Sequence, residues 1–402
     1  MNSVVNSFPN MDGELLLTAA ILSTLGAVTV LLVFQLGRNA IRQFRIRKYD
    51  ALAFKIHSEW RDIVRGRVPA ETWRTNPTQC DIVQSIVIHE IGAATDKDRP
   101  GLQEFLRSTG LIDLCVKKVY EGHGWARRRA MLALGAMRVP EAIAPLSEAL
   151  RDWQLDTRLT AVKALGSTAL AAAAEPILEA FMVGGLKVPF DPIANALVRC
   201  YFHHPGAILP YLRRSLGESR ELLARVASEL ATAEMADEMV VLAEDARPEV
   251  RAAAAKALAA APLPLAIPAL ADLVRDEVWF VRLRATIALH EIRHPRTIPI
   301  LLEAVRDSNR LVRMRAASTL ARFEQDRVEI LQSIVDSRDR YALHAMISAL
   351  ELGGGLEQIL RELSDPVLHN EAAERLLSTL REGAAGLWTT RPADPVVESV
   401  FP

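Results

Sequence analysis

Cysteine is scarce in this 402-residue chain: Cys80, Cys115 and Cys200 form an odd count with no CxxC pair among them. That argues against a disulfide framework and against a cysteine-paired zinc module. It predicts three buried thiols serving as small apolar groups, in a reducing compartment. Aromatic residues contribute only 5%, so the 50% hydrophobic content rests on Ala, Leu, Val and Ile, which suit close-packed helices better than sandwiches or barrels. The predicted fold class is all-α. Charge of one sign is missing too: a formal charge of −1 offers no global field for nucleic acid.

Catalytic signatures are equally thin. No GxxxxGK[ST], GxGxxG or GxSxG occurs, and His89-Glu90 lacks the second histidine of a zincin helix. Cys200 and His203 have C-x-x-H spacing, with His204 adjacent, but no second ligand pair follows. The expectation is a chain without catalytic, cofactor-binding or metal-binding residues, and not an enzyme.

One long apolar run is present. From Leu15 to Leu36 the chain carries 22 residues without a charge, which as a helix spans roughly 33 Å and crosses a bilayer. Asp12 and Glu14 precede it, and no small-x-small cleavage site follows, so the run reads as a retained transmembrane helix at 15–36. Arg38, Arg42, Arg45, Arg47 and Lys48 crowd its far end while residues 1–14 hold no Lys or Arg. The asymmetry predicts a single pass through a bacterial inner membrane, residues 1–14 outside and the remainder in the cytoplasm. Residues 37–75 read as a basic juxtamembrane amphipathic segment, with Ile41, Phe44, Leu52, Ile56, Trp60 and Ile63 on one face, lying on a lipid surface or leaving it. Membrane lipid is therefore a predicted contact through residues 15–48.

Beyond it, the sequence repeats at 31 residues. Arg127, Arg158, Arg220, Arg251, Arg282 and Arg313 fill six of seven consecutive slots, the remaining slot being Pro189. Six places before an arginine stands an acid: Glu121, Asp152, Asp245, Asp276 and Asp307. Alanines follow at +3 (Ala130, Ala161, Ala254, Ala285, Ala316) and leucines at +7 (Leu134, Leu165, Leu258, Leu289, Leu320), one face of a helix. A second helix, as in the segments ending at Asp276 and Asp307, opens near Pro268 and Pro299, where a missing N–H costs nothing. A helix pair this short cannot bury both faces alone, so neighbours must stack into a solenoid. Repeating Arg at one phase is better explained by pairing between units than by many copies of a catalyst.

The Pro-initiated first helix, its closing Asp and the V-R-x-x-A-x-x-A-L second helix, clearest at Val250-Arg251, Val281-Arg282 and Val312-Arg313, resemble HEAT repeats, particularly the HEAT-like repeats of phycobilisome lyases. The resemblance covers about two-thirds of the chain, and residues 182–220 and 336–381 depart from it. It implies a ladder of Asp–Arg hydrogen bonds tying each unit to the next. The predicted organisation is a helical N-terminal cap at 76–120, HEAT-like repeats at 121–382 and a flexible tail at 383–402.

Trp125, Trp153 and Trp279 fall between the acid and the arginine of their units. With Arg128, Arg129 and Phe280 they form a candidate partner-binding rim, unless each indole folds back over its own helices. The concave face of the stack is the other candidate. The leading expectation is a membrane-anchored cytoplasmic scaffold binding a partner protein, with an inner-membrane glycosyltransferase or a secretion or envelope complex as examples. The resemblance also implies two alternatives. One is a bilin lyase-like enzyme. The other is a nucleic-acid-binding stack, which the net acidic repeats disfavour, so no nucleic-acid partner is expected. Oligomeric state stays open at this point.

Overall fold

A computed structural model describes residues 13–64, 67, 91, 97–364 and 374–382. Residues 1–12, Cys80, His89-Glu90, most of the predicted cap before residue 97 and the tail at 383–402 lie outside the described residues. The chain divides into two compact units, residues 1–122 and 123–402.

In the first unit, α1 runs unbroken over Gly13–Val64, 52 residues. The apolar run and the basic stretch up to Val64 thus form one continuous helix. The segment Ile21–Lys55 is long and apolar enough to cross a membrane and lies wholly unburied near the N-terminus. Signal sequences share that length and composition. Ile41 and Phe44 are exposed, whereas the side chains of Leu52, Ile56, Trp60 and Ile63 lie outside the described residues. Two further helices follow, α2 (Arg99–Ser108) and α3 (Leu111–Glu121). Gly110 joins them at φ 71°, a left-handed turn that a β-carbon would strain.

In the second unit, second helices alternate with first helices. The second helices are α4 (Gly124–Met137), α6 (Leu155–Thr168), α8 (Phe190–Tyr201), α10 (Gly217–Glu229), α12 (Pro248–Ala257), α14 (Trp279–Ile292), α16 (Arg310–Leu320) and α18 (Arg340–Leu352). Between them come α5 (Ile143–Ala149), α7 (Ala174–Met182), α9 (Leu209–Arg214), α11 (Ala236–Leu242), α13 (Leu263–Leu273), α15 (Ile298–Ala304) and α17 (Arg327–Asp336), with α19 (Gly355–Leu363) after the last pair. The stack therefore continues through residues 182–220 and on to residue 363, where the sequence pattern departs from the repeat.

Each second helix packs directly on the next, and the repeating small and large residues explain how. Ala130, Ala161, Ala254, Ala285 and Ala316 are buried, and Leu134, Leu165, Leu258, Leu289 and Leu320 are completely so. Small side chains let the helix axes approach, and each leucine fills the space between units. The closest approach comes early in the stack. A β-carbon on Gly135 would stand 2.3 Å from the Ala164 carbonyl oxygen, and one on Gly166 would stand 2.6 Å from the Ala196 Cα. These two glycines occupy the same repeat phase, so they serve one purpose.

First helices open differently from the sequence expectation at one point. Pro299 stands in the first turn of α15, but Pro268 lies inside α13. There the helix starts earlier, at Leu263, because Pro262 and Pro264 provide the start. Elsewhere a short 3₁₀ turn leads into the helix, as at Pro140–Ala142 and Pro295–Thr297. Cys115 and Cys200 are buried; burial pushes the Cys200 thiol up to about 12, so it stays protonated and inert.

Candidate functional site

The repeated arginines stand at the start of the second helices, each the fourth residue of its helix, beside the turns that join first to second helices. Arg127 donates to Asp152 at 2.5 Å and Arg220 to Asp245 at 2.5 Å. Arg251 and Arg282 make two-pronged contacts, each at 2.6 and 2.9 Å, with Asp276 and Asp307. Every acid is 25 residues ahead of its arginine, and so belongs to the following unit. The spacing of six within a unit has another use: the guanidinium donates to the backbone carbonyl of that residue, at 2.9 Å from Arg158 to Asp152, 3.0 Å from Arg251 to Asp245, 2.9 Å from Arg282 to Asp276 and 2.7 Å from Arg313 to Asp307.

The aspartates do double duty. Their second oxygens accept backbone N–H groups two residues on, from Gln154, Arg247, Val278 and Asn309, which fixes the turn before each second helix. Burial alone would raise the Asp276 carboxyl, but the Arg251 hydrogen bond and the Val278 N–H outweigh it and hold the group below its ordinary value. Asp152 is held low in the same way, by the Gln154 N–H and Arg127 against burial.

Three positions depart from the pattern. The slot 25 residues after Arg158 is Val183, and the irregular loop supplies carbonyls instead: Arg158 donates to Leu186 at 2.8 Å and to Lys187 at 3.3 Å. The slot after Arg313 is Arg338, and Arg313 lies over the Tyr341 ring at 5.2 Å. Glu121 closes α3 and faces Lys117 at 3.8 Å; the slot 25 residues before it is Asp96, so no arginine reaches back to it from there.

The tryptophans are exposed: Trp153 by 85%, Trp125 by 68% and Trp279 by 43%. Such exposure rules out the fold-back arrangement for Trp153. Trp125 and Trp279 begin the second helices α4 and α14, and only Trp153 lies in the turn itself. Arg129 covers the Trp125 ring at 5.4 Å, and Trp279 meets Phe280 edge to face at 6.0 Å. Arg128 is half-buried. The residues do not form one patch, because Trp125 and Trp153 sit in adjacent units while Trp279 falls 126 residues beyond Trp153. Among the described residues no group of three His, Cys, Asp or Glu could hold a metal ion, and His203 packs on Phe202.

Sequence reasoning missed the carbonyls of Leu186 and Lys187 and the paired Gly135 and Gly166. The glycines carried a signal, their shared phase. The carbonyls carried none, since backbone groups have no side-chain letter.

Residues 207–290 and 279–351 match HEAT repeats, and residues 126–152 match the PBS lyase HEAT-like repeat. The second unit thus carries HEAT repeats, and the fold is an all-α HEAT solenoid, with a long apolar helix at the N-terminus of the chain. HEAT solenoids generally serve as protein-interaction scaffolds. None of the curated proteins matches the chain. Similar solved structures include an engineered protein, at 16% identity over 79% of this chain and 99% of that one, with a TM-score of 0.34. Human deoxyhypusine hydroxylase in complex with glycerol is another, at 19% identity over 68% and 98%, with a TM-score of 0.27. A third is YibA of E. coli, at 16% identity over 73% and 95%, with a TM-score of 0.31.

Proposed function

We propose that this protein is a membrane-anchored cytoplasmic scaffold, without chemistry of its own, that binds a membrane-associated partner protein through its HEAT solenoid. The observation that carries the reading is where the polar chemistry goes. Four of the six repeated arginines, Arg127, Arg220, Arg251 and Arg282, are spent on acids of the following unit, while large aromatic surface stays open at Trp125 and Trp153. Groups already joined in bidentate pairs are poor catalysts, whereas exposed indoles are good anchors for another protein. The continuous α1 supplies the root: residues 15–36 span the bilayer, and the basic stretch leaves it toward the cytoplasm and meets anionic headgroups. Tethering then raises the effective concentration of a partner in the same membrane. An inner-membrane glycosyltransferase or an envelope complex is the kind of partner this would suit.

Fractionation together with a reporter fused after Pro402 tests the reading. The full chain is expected in the membrane fraction, resistant to high salt, with a cytoplasm-dependent reporter active. Deleting residues 15–36 is expected to release it. A chain that stays soluble, or a reporter active only outside the cytoplasm, would contradict the anchor and its orientation.

A further inference from the structure

Near the C-terminal end of the described stack a cavity of about 710 Å³ opens between α16, α18, the residue that ends α14 and the turns before α17 and α19. Four guanidinium groups line it, those of Arg293, Arg315, Arg322 and Arg327, against one lining carboxylate, Glu324. Arg327 is the unusual member. Only 6% of it is exposed, its Nε has no hydrogen-bond partner, and its nearest acid, Glu324 at 3.7 Å, is itself 79% in solvent. A buried cation so poorly compensated is costly unless something else completes it. Its own helix gives little relief: Arg327 is the first residue of α17, where the helix dipole is already positive, and Glu329 in that turn makes no ion pair with it.

The surroundings maintain the positive charge. Thr319 donates its hydroxyl proton to the Arg315 carbonyl at 2.8 Å, so its oxygen is left to accept from His290 Nδ1 at 3.1 Å. The other ring nitrogen, Nε2, then accepts from Arg322 at 2.9 Å. Neutral His290 thus holds Arg322 in place without neutralising it. Burial, and then the charges of Arg322, Arg315 and Arg293, keep the imidazole below its usual titration range. In the ladder the part-buried Arg127, Arg220, Arg251 and Arg282 face carboxylates at 2.5 to 2.6 Å. Among the described residues Arg327 has no acid that close.

We propose that the cavity binds a small phosphate-bearing ligand with an apolar body, its phosphate taken by the guanidinium groups of Arg293, Arg315, Arg322 and Arg327. Phosphate brings up to two charges and three acceptor oxygens, which matches several guanidinium forks better than a single carboxylate does. The volume is that of a small-molecule site and far exceeds a lone phosphate. Leu350, Leu352 and Ala345 on its wall suit an apolar substituent.

Calorimetric titration of the full-length protein in detergent micelles tests this, with phenyl phosphate as the probe and inorganic phosphate and citrate as comparisons. Saturable binding of phenyl phosphate is expected, tighter than inorganic phosphate. Arg322→Gln and Arg315→Gln should each weaken it by about tenfold, since each removes charge-assisted hydrogen bonds. Arg199→Gln, an exposed arginine on α8 outside the cavity, should leave it within about twofold. Arg327→Met should abolish binding; should that variant fail to fold, the two surface-side variants decide. Occupation should also raise the His290 titration followed by NMR, as the anion offsets its cationic neighbours. Absence of saturable binding, or equal loss with Arg199→Gln, would overturn the site. Citrate binding in place of phosphate would overturn the ligand class, and equal affinity for the two phosphates would overturn the apolar body.

Discussion

Replacing Asp276 by alanine removes three bonds at once: the two prongs from Arg251 at 2.6 and 2.9 Å and the Val278 N–H at 2.8 Å. Arg251 then keeps the backbone carbonyls of Asp245 at 3.0 Å and Ala246 at 3.2 Å and a longer ion pair with the exposed Glu277 at 3.6 Å. The two side chains are 11% and 7% exposed, so the stranded guanidinium is largely out of water. Breaking a buried pair from one side costs about 3–5 kcal/mol. The rung runs along the turns and not through the apolar core, and Arg251 keeps its other partners, which places the expected loss below that range, at about 2–3 kcal/mol. Asp276→Asn keeps an acceptor for Val278 and should lose about 1 kcal/mol. Because each unit touches only its neighbours, the damage should stay local. Urea unfolding gives the magnitude, and hydrogen exchange on peptides spanning α12 to α15 gives the location. An Asp276→Ala loss under about 0.5 kcal/mol, or protection lost evenly along the whole stack, would refute the ladder as the element that joins units.

Gly135→Ala should destabilise by about 1–3 kcal/mol, because the new methyl group meets the Ala164 carbonyl oxygen at 2.3 Å and backbone must shift; thermal melts followed by circular dichroism check it. Leu289→Ala, at a fully buried site, should cost about 2–5 kcal/mol by the same measurement. Acid should weaken the stack. Asp152 and Asp276 have carboxyls held below the ordinary 3.8, so their contribution is complete above the unfolded value and is lost as pH falls through the lower folded one; unfolding free energy measured from pH 6 down to pH 2 should fall mainly below about pH 4. Trp153→Ala should leave stability within about 0.5 kcal/mol, since the indole is 85% exposed.

The fold was legible because its cause is periodic. Arginine at one phase, alanine at +3 and leucine at +7 each reflect a contact made identically in every unit, and the helices fall where that pattern puts them. Legibility failed where a contact is made once. Residues 182–220 depart from the pattern, yet the stack persists there because Leu186 and Lys187 offer carbonyls to Arg158 in place of a carboxylate. Pro268 reads like Pro299, but Pro262 and Pro264 start its helix earlier. The Trp residues look alike by position, and only the units they occupy separate Trp279 from the other two. Arg327 gives no warning in sequence: its burial comes from the stacking of α17 against its neighbours, and its isolation from the identity of residues distant in the chain.

A photo-cross-linking amino acid placed at position 153 in intact cells reports whether the solenoid is bound by a partner at the membrane. One discrete cross-linked membrane protein is expected, lost when residues 15–36 are deleted and weakened when Trp125 is replaced by alanine. Absence of a discrete product, or the same product from the untethered chain, would contradict such binding.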